Sequence, residues 1–232
     1  MTATPQARSA AREQGVVAAS SIHQVGPAGS LPNMYPVLKR VFDLVVSAAA
    51  LVALSPVLVV LSALIKAHDG GPVLYAGRRV GKDGTPFGMY KFRSMVLNAD
   101  TIGGSSTPDD DPRITPIGRF LRRYKLDELP QFLNVLRGEM SIVGPRPQVQ
   151  WAVDLYTPEQ RQVLTVKPGI TDYASVRFPN EGEILKGSTD PDRDYMEKIH
   201  PEKMRLSLEY VRNRSMRTDL QVIAQTALAI LR

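Results

Sequence analysis

The chain has 232 residues, 43% hydrophobic and 22% charged, long enough for a sizeable buried core. It has no cysteine, which excludes a disulfide framework, a thiolate metal site and a cysteine nucleophile. A formal net charge of +6 asks for an anionic partner: nucleic acid, a phospholipid surface or a phosphorylated substrate.

Residues 1–36 are rich in Ala, Ser, Gly, Pro and Gln and show no apolar periodicity, so a flexible tail is predicted there. No apolar core follows Arg8 and Arg12 closely enough for a secretory signal.

Leu44 to Ile65 then runs 22 residues without a charge, within the membrane helix expected over residues 37–68. Ser55 and Pro56 sit at its midpoint. Proline removes a backbone donor and crowds the preceding turn, so a bend is predicted there, with the serine hydroxyl serving the freed groups. Lys39 and Arg40 precede the segment; Lys66, Arg78, Arg79 and Lys82 follow it. Positive flanks favour the cytoplasmic side, and both flanks are positive here. A re-entrant, Pro-kinked helix satisfies both; a straight span violates one. From the residues alone, both readings stay open.

Residues 69–232 read as an α+β domain. Short strands are predicted at Gly71 to Tyr75 and Thr85 to Ser94, around the turn Gly81 to Gly84. Asn98 to Pro112 reads as a loop, with Asp109, Asp110 and Asp111 solvated rather than gathered on one ion. Ile117, Phe120, Leu121 and Tyr124 recur at i, i+3, i+4 and i+7, interleaved with Arg119, Arg122, Arg123 and Lys125. That is a basic amphipathic helix, suited either to a membrane surface or to packing on its own domain. Glu128 to Arg137 reads as a helix stopped by Gly138, with Asp127 at its N-cap. Ser141 to Val143 reads as a strand, and Gln148 to Tyr156 as a helix. A second helix follows Thr157-Pro158, and Pro168-Gly169 marks a turn. A last amphipathic helix carries Leu220, Ile223, Ala224, Ala227, Leu228 and Leu231, with Asp219 near its start.

Asp127-Glu128 is the candidate chemical centre. As bare residues the two acids are most simply helix caps. The same placement suits catalysis: a helix N-terminus keeps a carboxylate ionised and attracts phosphate, and such a carboxylate can attack phosphorus. A neighbouring carboxylate can help hold a divalent cation or move a proton. Arg146, between two prolines, offers a preset guanidinium for bidentate phosphate contact. Lys91 and Arg93 are two apart on a predicted strand and share a face. Aromatic residues are only 6% of the chain and do not interleave with the basic run, which argues against nucleic acid.

Several motifs in fixed order resemble the bacterial sugar transferases, the monotopic phosphoglycosyl transferases. They are Lys39-Arg40-Val41-Phe42-Asp43, Ser55-Pro56, Tyr90-Lys91-Phe92-Arg93-Ser94-Met95, Leu126-Asp127-Glu128-Leu129-Pro130-Gln131, Met140-Ser141-Ile142-Val143-Gly144-Pro145-Arg146-Pro147 and Lys167-Pro168-Gly169-Ile170-Thr171. The resemblance implies a re-entrant membrane helix joined to a catalytic domain with interfacial helices, facing the cytoplasm at the inner membrane of a bacterium. It implies a ping-pong reaction with Mg²⁺: Asp127 attacks the β-phosphate of a UDP-sugar, releases UMP, and passes the phospho-sugar to polyprenyl (undecaprenyl) phosphate. Such a step starts exopolysaccharide, O-antigen or glycoprotein glycan assembly. Glu128 matches the second acid of the pair, Arg146 a phosphate-contacting arginine, and Lys91 and Arg122 basic residues near the site. Arg79 and Arg93 join the expected phosphate-binding set, and Asp127 is the expected metal contact. A dimer is one option for the oligomeric state. The chain departs from the common pattern at Asp172-Tyr173-Ala174-Ser175 and around Ser207, where the resemblance implies that sugar or nucleotide choice is set. It lacks the multi-spanning N-terminal extension of larger relatives, and a minimal catalytic form is expected.

Overall fold

The computed structural model describes residues 34–230, so most of the expected tail lies outside the described residues. The first element, α1 (Tyr35–Asp69), is a continuous helix of 35 residues. At 1.5 Å per residue it is about 52 Å long, well beyond the roughly 30 Å of a bilayer's hydrocarbon core. Among the described residues it is the only helix long and apolar enough to cross a membrane. Pro56 lies inside it and cannot donate to Val52 O. Ser55 Oγ donates to that same carbonyl at 2.8 Å, replacing the lost backbone bond.

One face of α1 is fastened to the body. Asp43 is buried and accepts from Ser141 Oγ (2.8 Å) and the Ile142 N–H (3.1 Å). Arg40 donates to the carbonyls of Val135 (2.7 Å) and Leu136 (3.1 Å). Lys39 pairs with Asp219 at 2.8 Å. The other face exposes Val41, Val45, Val52, Val59, Val60 and Leu64.

After α1 comes an antiparallel hairpin of β1 (Leu74–Val80) and β2 (Pro86–Phe92), in register from Leu74 opposite Phe92 to Val80 opposite Pro86. The first strand starts three residues later than its composition suggested. Gly70 still caps α1, and the Pro72 carbonyl is taken by Arg93 Nε at 2.6 Å, so pairing begins beyond both. The loop that follows leads to α2 (Pro116–Arg123), with Thr115 Oγ1 accepting from the Gly118 N–H at 3.0 Å as its N-cap. A Cβ at Gly118 would sit 1.8 Å from Ser94 O, so only glycine lets α2 lie this close to the chain leaving β2.

Then α3 (Gln131–Arg137), β3 (Ser141–Val143) and α4 (Gln150–Asp154) follow. The helix expected after Thr157-Pro158 is instead a 3₁₀ segment, Gln160–Thr165. Pro168-Gly169 is more than a turn: Gly169 opens β4 (Gly169–Thr171), which pairs parallel with β3, Ser141 opposite Gly169 and Val143 opposite Thr171. A Cβ at Gly169 would meet Gly144 N at 2.1 Å, so the two strands approach through glycine. Five helices follow among the described residues: α5 (Tyr173–Arg177), α6 (Glu181–Ile184), α7 (Pro191–Lys198), α8 (His200–Asn213) and α9 (Met216–Ile230). The last docks through Val222, which is fully buried, and leaves Leu220 and Leu228 exposed.

The mixed α+β reading therefore holds, with two two-stranded sheets among helices in the described residues. The main core joins Met89, Val135, Met140, Val143, Tyr210 and Val222, with Phe42 and Val46 of α1 packed against it. A second cluster joins Leu61 and Ile65 of α1 to Phe92 and Leu121, with Leu58 and Leu126 alongside. The chain from Leu126 to Leu136 thus runs antiparallel to α1, and both ends of α1 rest on the same body.

Candidate active site

The acidic pair does not sit where a helix cap would. Lys125 takes a left-handed backbone (φ 55°) and turns the chain into a 3₁₀ turn, Leu126–Glu128. Pro130 has no N–H to give Leu126 O a helical bond. The Leu129 N–H takes that carbonyl instead (3.3 Å), and α3 begins only at Gln131. The N-cap expected at Asp127 falls to Pro130, which has no capping side chain. Both carboxylates are thereby released from structural duty at the helix end.

Their environments differ. Asp127 is 3% exposed, and among the described residues its nearest cation is Lys91 Nζ, 3.6 Å from Oδ2. Glu128 is gripped on both oxygens. Lys91 Nζ donates to Oε1 at 2.8 Å, Arg146 Nη1 donates to Oε2 at 3.0 Å, and Arg146 Nη2 also pairs with Oε1. Burial pushes the Asp127 carboxyl above its ordinary range, and Lys91 offsets only part of this. Burial pushes Glu128 the same way, but Arg146 and Lys91 together outweigh it and hold Glu128 well below the usual carboxylate range.

Three separate stretches deliver these groups. Lys91 comes from β2, opposite Tyr75. Arg146 comes from the Gly144-Pro145-Arg146-Pro147 loop after β3. Its two prolines do not place it alone: the Arg146 N–H donates to Asp172 Oδ2 and Nη1 to Ile170 O, each at 3.3 Å. Asp172 is 1% exposed, and its Oδ1 accepts from the Ser175 N–H at 2.7 Å, capping α5. The departure from the family pattern at Asp172 thus holds the loop that carries Arg146. An acid three residues ahead of Ser175 was the local signal for that cap.

Arg122, in the last turn of α2, adds its field to Asp127. Arg79, on β1, lies in the field of Arg146 and Glu128, and among the described residues it has no carboxylate within salt-bridge reach. Burial lowers the affinity of that guanidinium for its proton, as expected for a cation short of a counter-ion. Lys91, Arg146, Arg122 and Arg79 therefore surround two carboxylates with excess positive charge, a field that favours an anion. Arg93 is not among them. It lies one residue beyond β2, is 7% exposed, and pairs with Asp69 and Pro72 O, tying the end of β2 to the end of α1. Ser55 and Pro56 act within α1.

Among the described residues no three His, Asp or Glu side chains gather as a metal cage. The aspartate run is not uniformly solvated: Asp111 pairs with Arg113 at 2.7 Å, while Asp109 and Asp110 are exposed.

The bacterial sugar transferase family profile matches residues 34–232. The chain is 35% identical over 217 residues to an exopolysaccharide production protein, ExoY, of Sinorhizobium fredii, covering 87% of this chain and 89% of that protein. It is 38% identical over 204 residues to a UDP-glucose:undecaprenyl-phosphate glucose-1-phosphate transferase of Escherichia coli. It is 33% identical over 221 residues to a UDP-N-acetylgalactosamine-undecaprenyl-phosphate N-acetylgalactosaminephosphotransferase of Aeromonas hydrophila. The latter two are matched over 40% and 49% of their own length and 84% and 94% of this chain. With these motifs in one site and this breadth of match, the chain belongs to the bacterial sugar transferase family.

Proposed function

We propose that this chain transfers a sugar-1-phosphate from a UDP-sugar to undecaprenyl phosphate, with Asp127 as the nucleophile and UMP as the first product. The names of its relatives support the phospho-sugar transfer and the lipid acceptor. The contrast between the two carboxylates supports the choice of Asp127. Glu128 is committed to two cations; Asp127 is buried, poorly solvated and almost unpartnered. A desolvated carboxylate with no strong hydrogen bond is the better attacking group once ionised.

In the first step an Asp127 oxygen attacks the β-phosphorus, and the bond from that phosphorus to the bridging oxygen breaks. UMP leaves with the electron pair, and an acyl phosphate joins the sugar phosphate to Asp127. In the second step an oxygen of the lipid phosphate attacks the same phosphorus, and the carboxylate of Asp127 departs. Lys91, Arg146 and Arg79 bind and orient the diphosphate. Glu128, being held so acidic, is a weak base, and its part is to hold Arg146 and Lys91 in place.

Mg²⁺ fits this donor set in one way. Mg²⁺ is commonly bound by one or two carboxylates plus substrate phosphates rather than by a full protein cage. Asp127 has oxygens to offer and Glu128 does not, so Asp127 and the donor diphosphate would hold the ion. Bound there, it would supply charge neutralisation as UMP departs.

The re-entrant, cytoplasm-facing placement of α1 belongs to the same proposal. Lys39, Arg40 and Asp43 anchor one end to α3, β3 and α9; Leu61 and Ile65 anchor the other to β2 and α2. Two ends resting on one polar body favour entry and exit by the same face. The chain has no cysteine, so single engineered cysteines near residues 37 and 67 can report sidedness without background. Both should label from the cytoplasmic side of sealed vesicles; labelling from opposite sides would overturn the re-entrant placement. The reaction itself is tested by UMP release from a panel of UDP-sugars, which Asp127→Asn should reduce by at least about a thousandfold.

A further inference from the structure

Within the electrostatic reach of Arg146 and Lys125 lies an ion pair that the reaction as proposed does not use. Lys203 of α8 is 5% exposed, and its Nζ donates to Glu181 Oε1 at 2.7 Å while lying 5.3 Å from the centroid of the Tyr195 ring. Glu181, the first residue of α6, keeps 29% of its side chain exposed. Among the described residues its Oε2 accepts no hydrogen bond. An ionised carboxylate has about four acceptor positions, and one is used here.

The pair is held in register with the site. The Tyr195 hydroxyl accepts from Gln148 Nε2 at 3.1 Å, and Gln148 follows Arg146 by two residues. Gly182 O accepts from the Asp109 N–H at 3.0 Å, which holds the start of α6 against the long loop. The negative charge of Glu181 is felt at Arg146 and Lys125. A buried ammonium with a half-buried partner is a poor device for stability, since an apolar replacement is often as good. By holding one carboxylate oxygen, the ammonium limits the carboxylate's motion and leaves the other oxygen open as an acceptor.

We propose that Glu181, held by Lys203, accepts a hydroxyl of the UDP-sugar and is a specificity-determining residue of the donor site. The ligand chemistry is a sugar hydroxyl, from either the transferred sugar or the ribose. The inference rests on the reading of the site as a phospho-sugar transferase.

The full chain is assayed in detergent for UMP release, with KM and kcat measured for several UDP-sugars and inhibition by UMP measured alongside. Glu181→Ala should raise KM for the preferred donor by about tenfold to a hundredfold, the loss expected for a hydrogen bond to a charged group, with kcat moved much less. Glu181→Gln, which keeps a carbonyl acceptor, should recover most of it. A parallel loss of UMP inhibition assigns the contact to the ribose. Unchanged UMP inhibition with an altered ranking of sugar epimers assigns it to the transferred sugar. Glu181→Leu combined with Lys203→Met removes both charges and guards against misfolding; it should show the same KM defect at an unchanged melting temperature. Unchanged KM values and UMP inhibition in that folded double variant would overturn the proposal. Failure of the unaltered chain to release UMP from any UDP-sugar would instead overturn the reading on which it rests.

Discussion

Two buried acidic clusters in this chain are built from the same residue types and are partnered in opposite ways. At the base of α1, every oxygen is satisfied. Asp43 accepts two hydrogen bonds, and Asp219, fully buried, meets Lys39 on Oδ2 and the Tyr210 hydroxyl on Oδ1, each at 2.8 Å. At Asp127-Glu128 the satisfaction is uneven: Glu128 is saturated and Asp127 has only a 3.6 Å contact. A saturated buried carboxylate fastens elements together. An under-partnered one, among surplus cations, is the group that the proposed reaction uses.

The contrast is broken most sharply by removing one acid from each cluster. Asp127→Asn should lower UMP release by at least about a thousandfold without lowering the melting temperature. Asp219→Ala should do the reverse. It leaves Lys39, 15% exposed, without its counter-ion, and a loss of about 3–5 kcal/mol is expected in denaturant unfolding, with activity per folded molecule retained.

The titration of the pair sharpens the comparison. Asp127 is pushed up by burial, so its contribution to folding is present below the ordinary carboxylate range and lost as pH rises through its raised value. Glu128 is pushed down, so its contribution is present above that range and lost as pH falls. Asp127→Asn should therefore gain stability relative to the unaltered chain as pH rises, and Glu128→Gln should lose it, measured by melting temperature across pH. UMP release should show an acid limb displaced above the range of an ordinary aspartate.

The smallest effect is expected at Ser55. Removing its hydroxyl strips Val52 O of the 2.8 Å bond that replaces the proline's missing N–H, at a cost of about 1 kcal/mol in detergent unfolding. Pro56→Ala should make that loss disappear, because a backbone donor returns.

What was legible in the sequence was local. The period of Ile117, Phe120, Leu121 and Tyr124 located α2, and the glycine-flanked turn located the hairpin. The motif order located the acidic pair with Lys91 and Arg146. What was not legible depends on distant partners. Asp219 reads as a helix-start acid, yet its cation is 180 positions away. Arg93 has the alternation of a site residue, but Asp69 claims it. The strand at Gly169 exists only because β3 lies beside it. Asp127 reads as an N-cap because a helix follows, and one proline moves that helix three residues on, from Glu128 to Gln131. The same carboxylate stands out in both readings, and the 3₁₀ turn supplies the physical reason it is not held at a helix cap.

The most direct test is to trap the intermediate. The chain is incubated with a UDP-sugar and no lipid acceptor, denatured, digested, and examined by mass spectrometry. The account predicts stoichiometric UMP and a sugar-phosphate mass on the peptide holding Asp127, discharged by undecaprenyl phosphate in a chase and absent from Asp127→Asn. UMP release that requires the acceptor and leaves no adduct, or an adduct on Glu128, would contradict it.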